Sequence, residues 1–153
     1  MSGLLFIAGF ESLRTEAYLD PVGIPTICYG STKNVGLGLT KTEEECWELL
    51  EKEAREFSDG VVASLPYLVV VSQDELDAYT SFAYNVGLGA WNTSTLLKKL
   101  KRGDREGACN ELPRWVYAGG KRLNGLVRRR ADEQTMCLRG AQYEVENYTI
   151  NWS

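Results

Sequence analysis

The sequence predicts an α+β, mostly helical fold: a small antiparallel-sheet lobe beside a larger helical lobe, with a cleft between them. Three observations predict it. Residues 14–38 are punctuated by Gly23, Pro25, Gly30, Gly36 and Gly38 around short β-prone runs such as Thr26-Ile27-Cys28-Tyr29, the pattern of a small sheet with tight turns. Capping boxes at Thr42/Glu45 and Ser72/Glu75 each precede apolar residues at helical spacing, as helix N-termini do. The chain has 153 residues and no internal repeat, low-complexity tract or long linker. That length suits one domain, or two small lobes sharing a core.

Taken in order, residues 3–12 read as a first core helix rich in apolar side chains. This run is too short for a membrane span and lacks the basic segment and cleavage pattern of a signal peptide. An export segment upstream of it stays open. After the sheet segment, a helix starts at Thr42, or alternatively at Thr40 with Glu43. It continues through Trp47, Leu49, Leu50, Ala54 and Phe57 to about Ser58. The Ser72 box opens an amphipathic helix through Leu76, Ala78, Tyr79, Phe82 and Ala83, ending near Gly87. Thr93 or Ser94 starts the next, through Leu96, Leu97 and Leu100, and Gly103 stops it. Asp104 is a suitable N-cap for a short helix from Arg105 to Leu112, ended by Pro113. Gly119-Gly120 marks a loop, and a last helix runs from about Asn124 to Cys137. The tail 142–153 carries no assignment. The expected organisation is a single domain over 1–153: a small β-containing lobe over 12–60, and a helical lobe made of 1–11 and 61–141. The first helix is expected to pack back onto the second lobe, and Trp47, Trp91 and Trp115 are expected to be core packing.

The formal net charge is −4, which argues against general nucleic-acid binding, a function that needs a basic footprint. Basic clusters do occur at Lys98, Lys99, Lys101 and Arg102, which read as a solvated helix face, and at Arg128-Arg129-Arg130. Three consecutive helical residues cannot share one face, so at least one of these arginines is expected to turn inward to a carboxylate. The chain has no histidine, and its four cysteines, Cys28, Cys46, Cys109 and Cys137, form no C-x-x-C pair. Zinc binding and His-dependent catalysis are disfavoured, and no metal or organic cofactor is implied. Four cysteines are compatible with two disulfides in any of three connectivities, or with four buried thiols. The reading adopted is two disulfides with sequence-local pairing, Cys28–Cys46 and Cys109–Cys137.

The chemistry-bearing residues are Glu11, Asp20 and Thr26. Hydrolysis of a glycosidic bond needs one acid to protonate the leaving oxygen. It needs a second carboxylate to answer the charge growing on the sugar, and a small hydroxyl can hold the attacking water. Glu11 stands at the end of a helix, whereas Asp20 and Thr26 stand in a turn-rich flap. That places the acid on a rigid element with its partners facing it. Such a donor must keep its proton near neutral pH, which burial favours and an adjacent arginine opposes. An arginine from 128–130 is expected to orient Glu11. For sugar binding, Tyr84 offers an aromatic face and Asn85 a donor and acceptor, with Asn110 a further candidate.

In sequence, Glu11, Ala17-Tyr18, Asp20, Gly23, Thr26 and Tyr29-Gly30 are followed by Phe82-Ala83-Tyr84-Asn85-Val86-Gly87 and Ser94-Thr95-Leu96-Leu97. Trp115, Tyr117-Ala118-Gly119-Gly120-Lys121 and Gly125-Leu126-Val127-Arg128-Arg129-Arg130 come last. Over residues 3–140 this series resembles the phage-type lysozymes, glycoside hydrolase family 24. The four cysteine positions resemble those of its exported subgroup, the signal-arrest-release endolysins. The resemblance implies a lysozyme-like two-lobed fold. It implies a muramidase that cuts the β-1,4 bond between N-acetylmuramic acid and N-acetylglucosamine in peptidoglycan, by an inverting displacement, for host cell lysis. A monomer is expected, made in the cytoplasm and acting in the host periplasm, and touching a membrane only through an export segment. Two alternatives stand beside it: a lytic transglycosylase on the same bond, and a catalytically inactive wall-binding module. Two positions depart from the family pattern, which usually has Gly in place of Cys28 and His in place of Ser31.

Overall fold

The computed structural model describes residues 2–142. The chain divides into two compact units, Met1–Glu56 and Phe57–Ser153.

In the first unit, helix α1 (Ser2–Phe10) buries Leu4 and Ile7. It ends two residues before the expected 12. Strand β1 (Arg14–Leu19) pairs antiparallel with β2 (Pro25–Cys28), setting Tyr18 opposite Thr26 and Arg14 opposite Cys28. Three residues of β1, 15–17, thus face a single residue of β2, Ile27, a local irregularity of the kind that bends a strand. Ala17, Ile27, Cys28 and Cys46 form a small buried cluster, flanked by Leu13, Tyr29, Val35, Leu39 and Leu49. Cys28 and Cys46 are joined in a disulfide.

Helix α2 (Glu43–Ser64) starts at the Thr42/Glu45 box: Glu45 N donates to Thr42 Oγ1 (3.0 Å), and Thr42 N donates to Glu45 Oε1 (2.9 Å). These bonds hold the Glu45 carboxyl below its ordinary range. Thr40, the alternative start, instead forms an antiparallel bridge with Glu16 of β1. The helix also runs past the expected stop at Ser58. Gly60 does not end it. A Cβ at Gly60 would meet Leu88 Cδ1 at 2.5 Å, so this glycine makes room for a neighbour rather than terminating the helix.

In the second unit, α3 (Gln73–Val86) carries both halves of its capping box, and Gly87, at φ 91°, ends it. A short helix α4 (Leu88–Thr93), which the sequence did not signal, leads into α5 (Thr95–Lys101), capped by Ser94. Helix α6 (Arg105–Cys109) has the expected Asp104 cap, but it ends three residues before Leu112. Pro113 lies inside a separate 3-10 turn, Leu112–Arg114, whose first residues need no intrahelical N–H. Gly119 and Gly120, at φ 58° and 77°, form the two-residue turn of a hairpin of β3 (Tyr117–Ala118) and β4 (Lys121–Arg122). Helix α7 (Asn124–Ala141) continues four residues beyond Cys137. At Gly140 it passes so near the α3 N-terminus that a Cβ would stand 2.2 Å from Ser72 Oγ. Of the tail, only Gln142 is described, and 143–153 lie outside the described residues.

Tyr79, Phe82, Trp91, Leu96, Leu97, Leu100 and Leu112 are fully buried and make the core of this unit. Trp91 packs on Tyr79 with ring centroids 5.3 Å apart and donates Nε1–H to Ser64 Oγ. Trp115 meets Phe82 edge-on at 5.1 Å. Both tryptophans are core packing, as expected, while Trp47 is half-buried against Tyr29. The Cys109–Cys137 disulfide ties α6 to α7. Both bridges follow the sequence-local pairing.

Candidate active site

Glu11 follows α1 directly, its N–H still donating to Ile7 O at 3.3 Å. The helix therefore fixes its backbone. The half-buried side chain lies against the loop after β2. A Cβ at Gly30 would stand 3.1 Å from Glu11 Oε2, and Gly30 has φ 87°. Glycine is required there twice over, for the left-handed backbone and for the close approach of the carboxylate.

The β1–β2 hairpin presents the other two residues. Asp20 Oδ1 accepts the N–H groups of Val22 (2.9 Å) and Ile24 (2.8 Å), so the side chain builds the turn that displays it. Among the described residues, Oδ2 takes no hydrogen bond. Thr26 is buried, and its hydroxyl donates to Ile24 O at 2.8 Å. With its proton so used, Oγ1 is left as an acceptor, able to take a proton of a water and leave that water's lone pair directed elsewhere. Asp20 and Thr26 thus share one hairpin and both engage Ile24, while Glu11 borders the loop that leaves the same hairpin.

That loop has three anchors. Ile27 and Ser31 exchange two backbone hydrogen bonds of 2.9 Å. Cys28, with φ 60°, is bonded to Cys46 on α2. Buried Ser31 donates its hydroxyl to Glu53 Oε1, also on α2, at 2.5 Å. The left-handed backbone at 28 is the physical reason a glycine suits this place. Here a cysteine bears that conformation and the bridge fixes it. Burial raises the Glu53 carboxyl above its ordinary value, partly offset by the Ser31 hydroxyl.

In the second unit, a buried network surrounds Glu133. Its Oε2 accepts from Ser81 Oγ (2.6 Å) and Arg129 Nε (3.3 Å), and its Oε1 accepts from Arg130 Nη1. Two of the three consecutive arginines therefore turn inward, whereas Arg128 is exposed. Arg130 also donates Nε–H to Trp115 O (3.0 Å) and Nη2 to Asn85 Oδ1, with its guanidinium over the Phe82 ring. Asn85 is exposed yet held by a buried arginine, leaving its amide NH₂ for other partners. Tyr84 is half-buried and packs edge-on against Phe57 at 5.4 Å. Asn110 is exposed and accepts from Gln134 Nε2 at 3.0 Å. Among the described residues, no group of three His, Cys, Asp or Glu side chains is arranged to hold a metal ion. No described helix is long and apolar enough to cross a membrane.

Sequence reasoning missed Gly30, Ser31, Glu53 and the role of Arg130. Ser31 appeared there only as a departure from the expected pattern, Gly30 only as a turn glycine, and Arg130 only as one of three arginines of which at least one was to meet a carboxylate.

The fold belongs to a known class. The family model described as phage lysozyme matches residues 8–133. The chain belongs to that family, whose members are glycoside hydrolases of cell-wall lysis. A SAR-endolysin of Bacteriophage PS119 is 45% identical over 139 residues, covering 88% of this chain and 80% of that protein. Among solved structures, the endolysin from Escherichia coli O157:H7 phage FAHEc1 is 35% identical with a TM-score of 0.77, over 89% of this chain and 90% of that one. The muramidase domain of SpmX from Asticaccaulis excentricus is 29% identical with a TM-score of 0.80, over 90% and 95%.

Proposed function

We propose that this protein is an endolysin that hydrolyses the β-1,4 bond between N-acetylmuramic acid and N-acetylglucosamine of peptidoglycan by an inverting single displacement. Glu11 is the general acid, giving its proton to the bridging oxygen. Water held on Thr26 Oγ1 attacks the anomeric carbon from the opposite face. Asp20, through its uncommitted Oδ2, takes up the water's proton and answers the oxocarbenium-like charge. Tyr84, Asn85 and Asn110 contribute sugar contacts, with Arg130 holding the Asn85 carbonyl so that its NH₂ faces outward. The protein acts after export, in the host periplasm. The observation that carries this reading is the arrangement in the first unit. Two carboxylates and a hydroxyl are each held by backbone or close packing on α1 and the hairpin, with acceptor positions left open on Asp20 and Thr26.

The test uses purified peptidoglycan. The wild type releases reducing muramic ends, and proton NMR during the first turnovers shows the inverted anomer. Glu11→Gln lowers the rate by at least about a thousandfold while circular dichroism stays unchanged, since a residue that supplies the transferred proton has no substitute in an amide. Glu11→Gln cleaving as fast as wild type would overturn the assignment. Products ending in 1,6-anhydromuramic acid would replace hydrolysis with a transglycosylase reaction.

A further inference from the structure

Resting on the hydrolase reading above, we infer that Glu53 is a positioning residue for the acid at Glu11, acting through Ser31 and the loop 28–31. Glu53 touches none of the reacting groups. Its carboxylate accepts the hydroxyl of buried Ser31 at 2.5 Å. Ser31 closes a tight turn on Ile27 through two backbone hydrogen bonds. Between these ends stands Gly30, the backbone against which Glu11 Oε2 is packed.

The loop is therefore held at both ends on one helix: at Cys28 by the disulfide to Cys46, and at Ser31 by the hydrogen bond to Glu53. Cys46 and Glu53 are seven residues apart on continuous α2. That spacing returns to the same helix face about two turns, or roughly 10 Å, further on. A helix face thus carries two clamps, with the surface that abuts the catalytic carboxylate suspended between them. Removing the Glu53 acceptor leaves a buried hydroxyl unpaired and frees the Ser31 end while the disulfide still holds the other. The expected consequence is a displaced Glu11 carboxylate, not an unfolded protein.

The experiment is a variant set assayed on peptidoglycan well below the melting temperature. Glu53→Ala and Ser31→Ala each lower kcat about tenfold with KM within about twofold, as small displacements of a reacting group do. Glu53→Gln, which keeps an acceptor oxygen for Ser31, retains at least about half of the wild-type kcat. The double variant Ser31→Ala/Glu53→Ala is no slower than either single one, because the two act as one unit. Glu51→Gln, the same charge change on an exposed residue of α2, leaves kcat unchanged. The inference is overturned if Glu53→Ala keeps the wild-type kcat, if Glu53→Gln falls as far as Glu53→Ala, or if the two single losses multiply. Should Glu53→Ala fail to fold, Ser31→Ala decides in its place: a tenfold loss supports the inference and an unchanged kcat overturns it. A wild type that releases no reducing ends would sink the hydrolase reading separately. In that case amide exchange at Gly30 decides: faster by about tenfold in Ser31→Ala supports the clamp, and unchanged exchange refutes it.

Discussion

At the scale of the residue, the site rests on backbone conformations that only certain side chains tolerate. Gly30 combines φ 87° with a Cβ position 3.1 Å from Glu11 Oε2. Gly30→Ala therefore strains the backbone, by about 1–2 kcal/mol for a left-handed non-glycine residue, and pushes directly on the acid. The expected outcome is a fall in kcat of more than about tenfold with a melting temperature only a few degrees lower. A wild-type rate in this variant would mean that the carboxylate against Gly30 is not in its working position. The roles proposed for Glu11, Asp20 and Thr26 start from the sequence, because glycosidic hydrolysis demands acids and a hydroxyl, and the Gly and Pro residues around Asp20 announce the turn that the hairpin forms. The close approach of Glu11 to Gly30 and the contact made by Glu53 were not legible. Close approach is a property of the folded chain, and Glu53 is one of seven glutamates on α2, distinguished from the rest only by facing a buried hydroxyl.

At the scale of the element, the helix starts with capping boxes were written locally, as were the stops at Gly87 and Gly103, whereas two other stops were not. Both capping boxes formed as read, because Ser or Thr and a Glu three residues later satisfy each other's backbone N–H groups without outside help. The stops failed at Ser58 and Cys137 because Gly60 and Gly140 serve close packing against Leu88 and Ser72. The α3 cap tests this distinction. Ser72→Ala costs about 1 kcal/mol of stability, the usual value of a lost N-cap. Gly140→Ala costs about 2 kcal/mol, because its Cβ would also meet Glu75 N at 2.8 Å and the backbone must shift. Urea unfolding measures both, and in the double variant the losses are less than additive, since the second change strikes a cap already broken. An α2 element carries the pH dependence. Burial raises the Glu53 carboxyl in the fold, against the hydrogen bond from Ser31, with Glu56 adding to the rise and Lys33 and Lys52 opposing it. A carboxyl raised on folding contributes stability that is fully present below its unfolded value and is lost as pH climbs through the folded one. Glu53→Gln removes that loss. Its stability advantage over wild type should thus grow as pH rises from about 4 through the carboxylate range toward neutrality. Equal pH profiles for the two proteins would contradict the burial argument.

At the scale of the whole molecule, each compact unit has its own disulfide, Cys28–Cys46 in the first and Cys109–Cys137 in the second. The bridges close sequence separations of 18 and 28 residues. In the chain-entropy account, these loops stabilise by about 3 and about 3.5 kcal/mol respectively. A domain of this size has a total stability of only about 5–15 kcal/mol, so the two bridges together rival the margin that keeps it folded. All four cysteines are buried in the two cores, so reduction also disturbs packing that the apolar residues alone must then maintain. Full reduction with a strong thiol should lower the urea midpoint by more than about half, while substituting either pair by alanine should give an intermediate value. The pair in the first unit carries a second consequence. It clamps the loop beside Glu11, so Cys28→Ala/Cys46→Ala should lose activity at urea concentrations where its circular dichroism is still that of the folded protein. Cys109→Ala/Cys137→Ala should lose activity and structure together. A reduced protein with an unchanged midpoint would show that neither bridge constrains the chain. Coincident loss in both variants would show that the first bridge supports the fold without supporting the site.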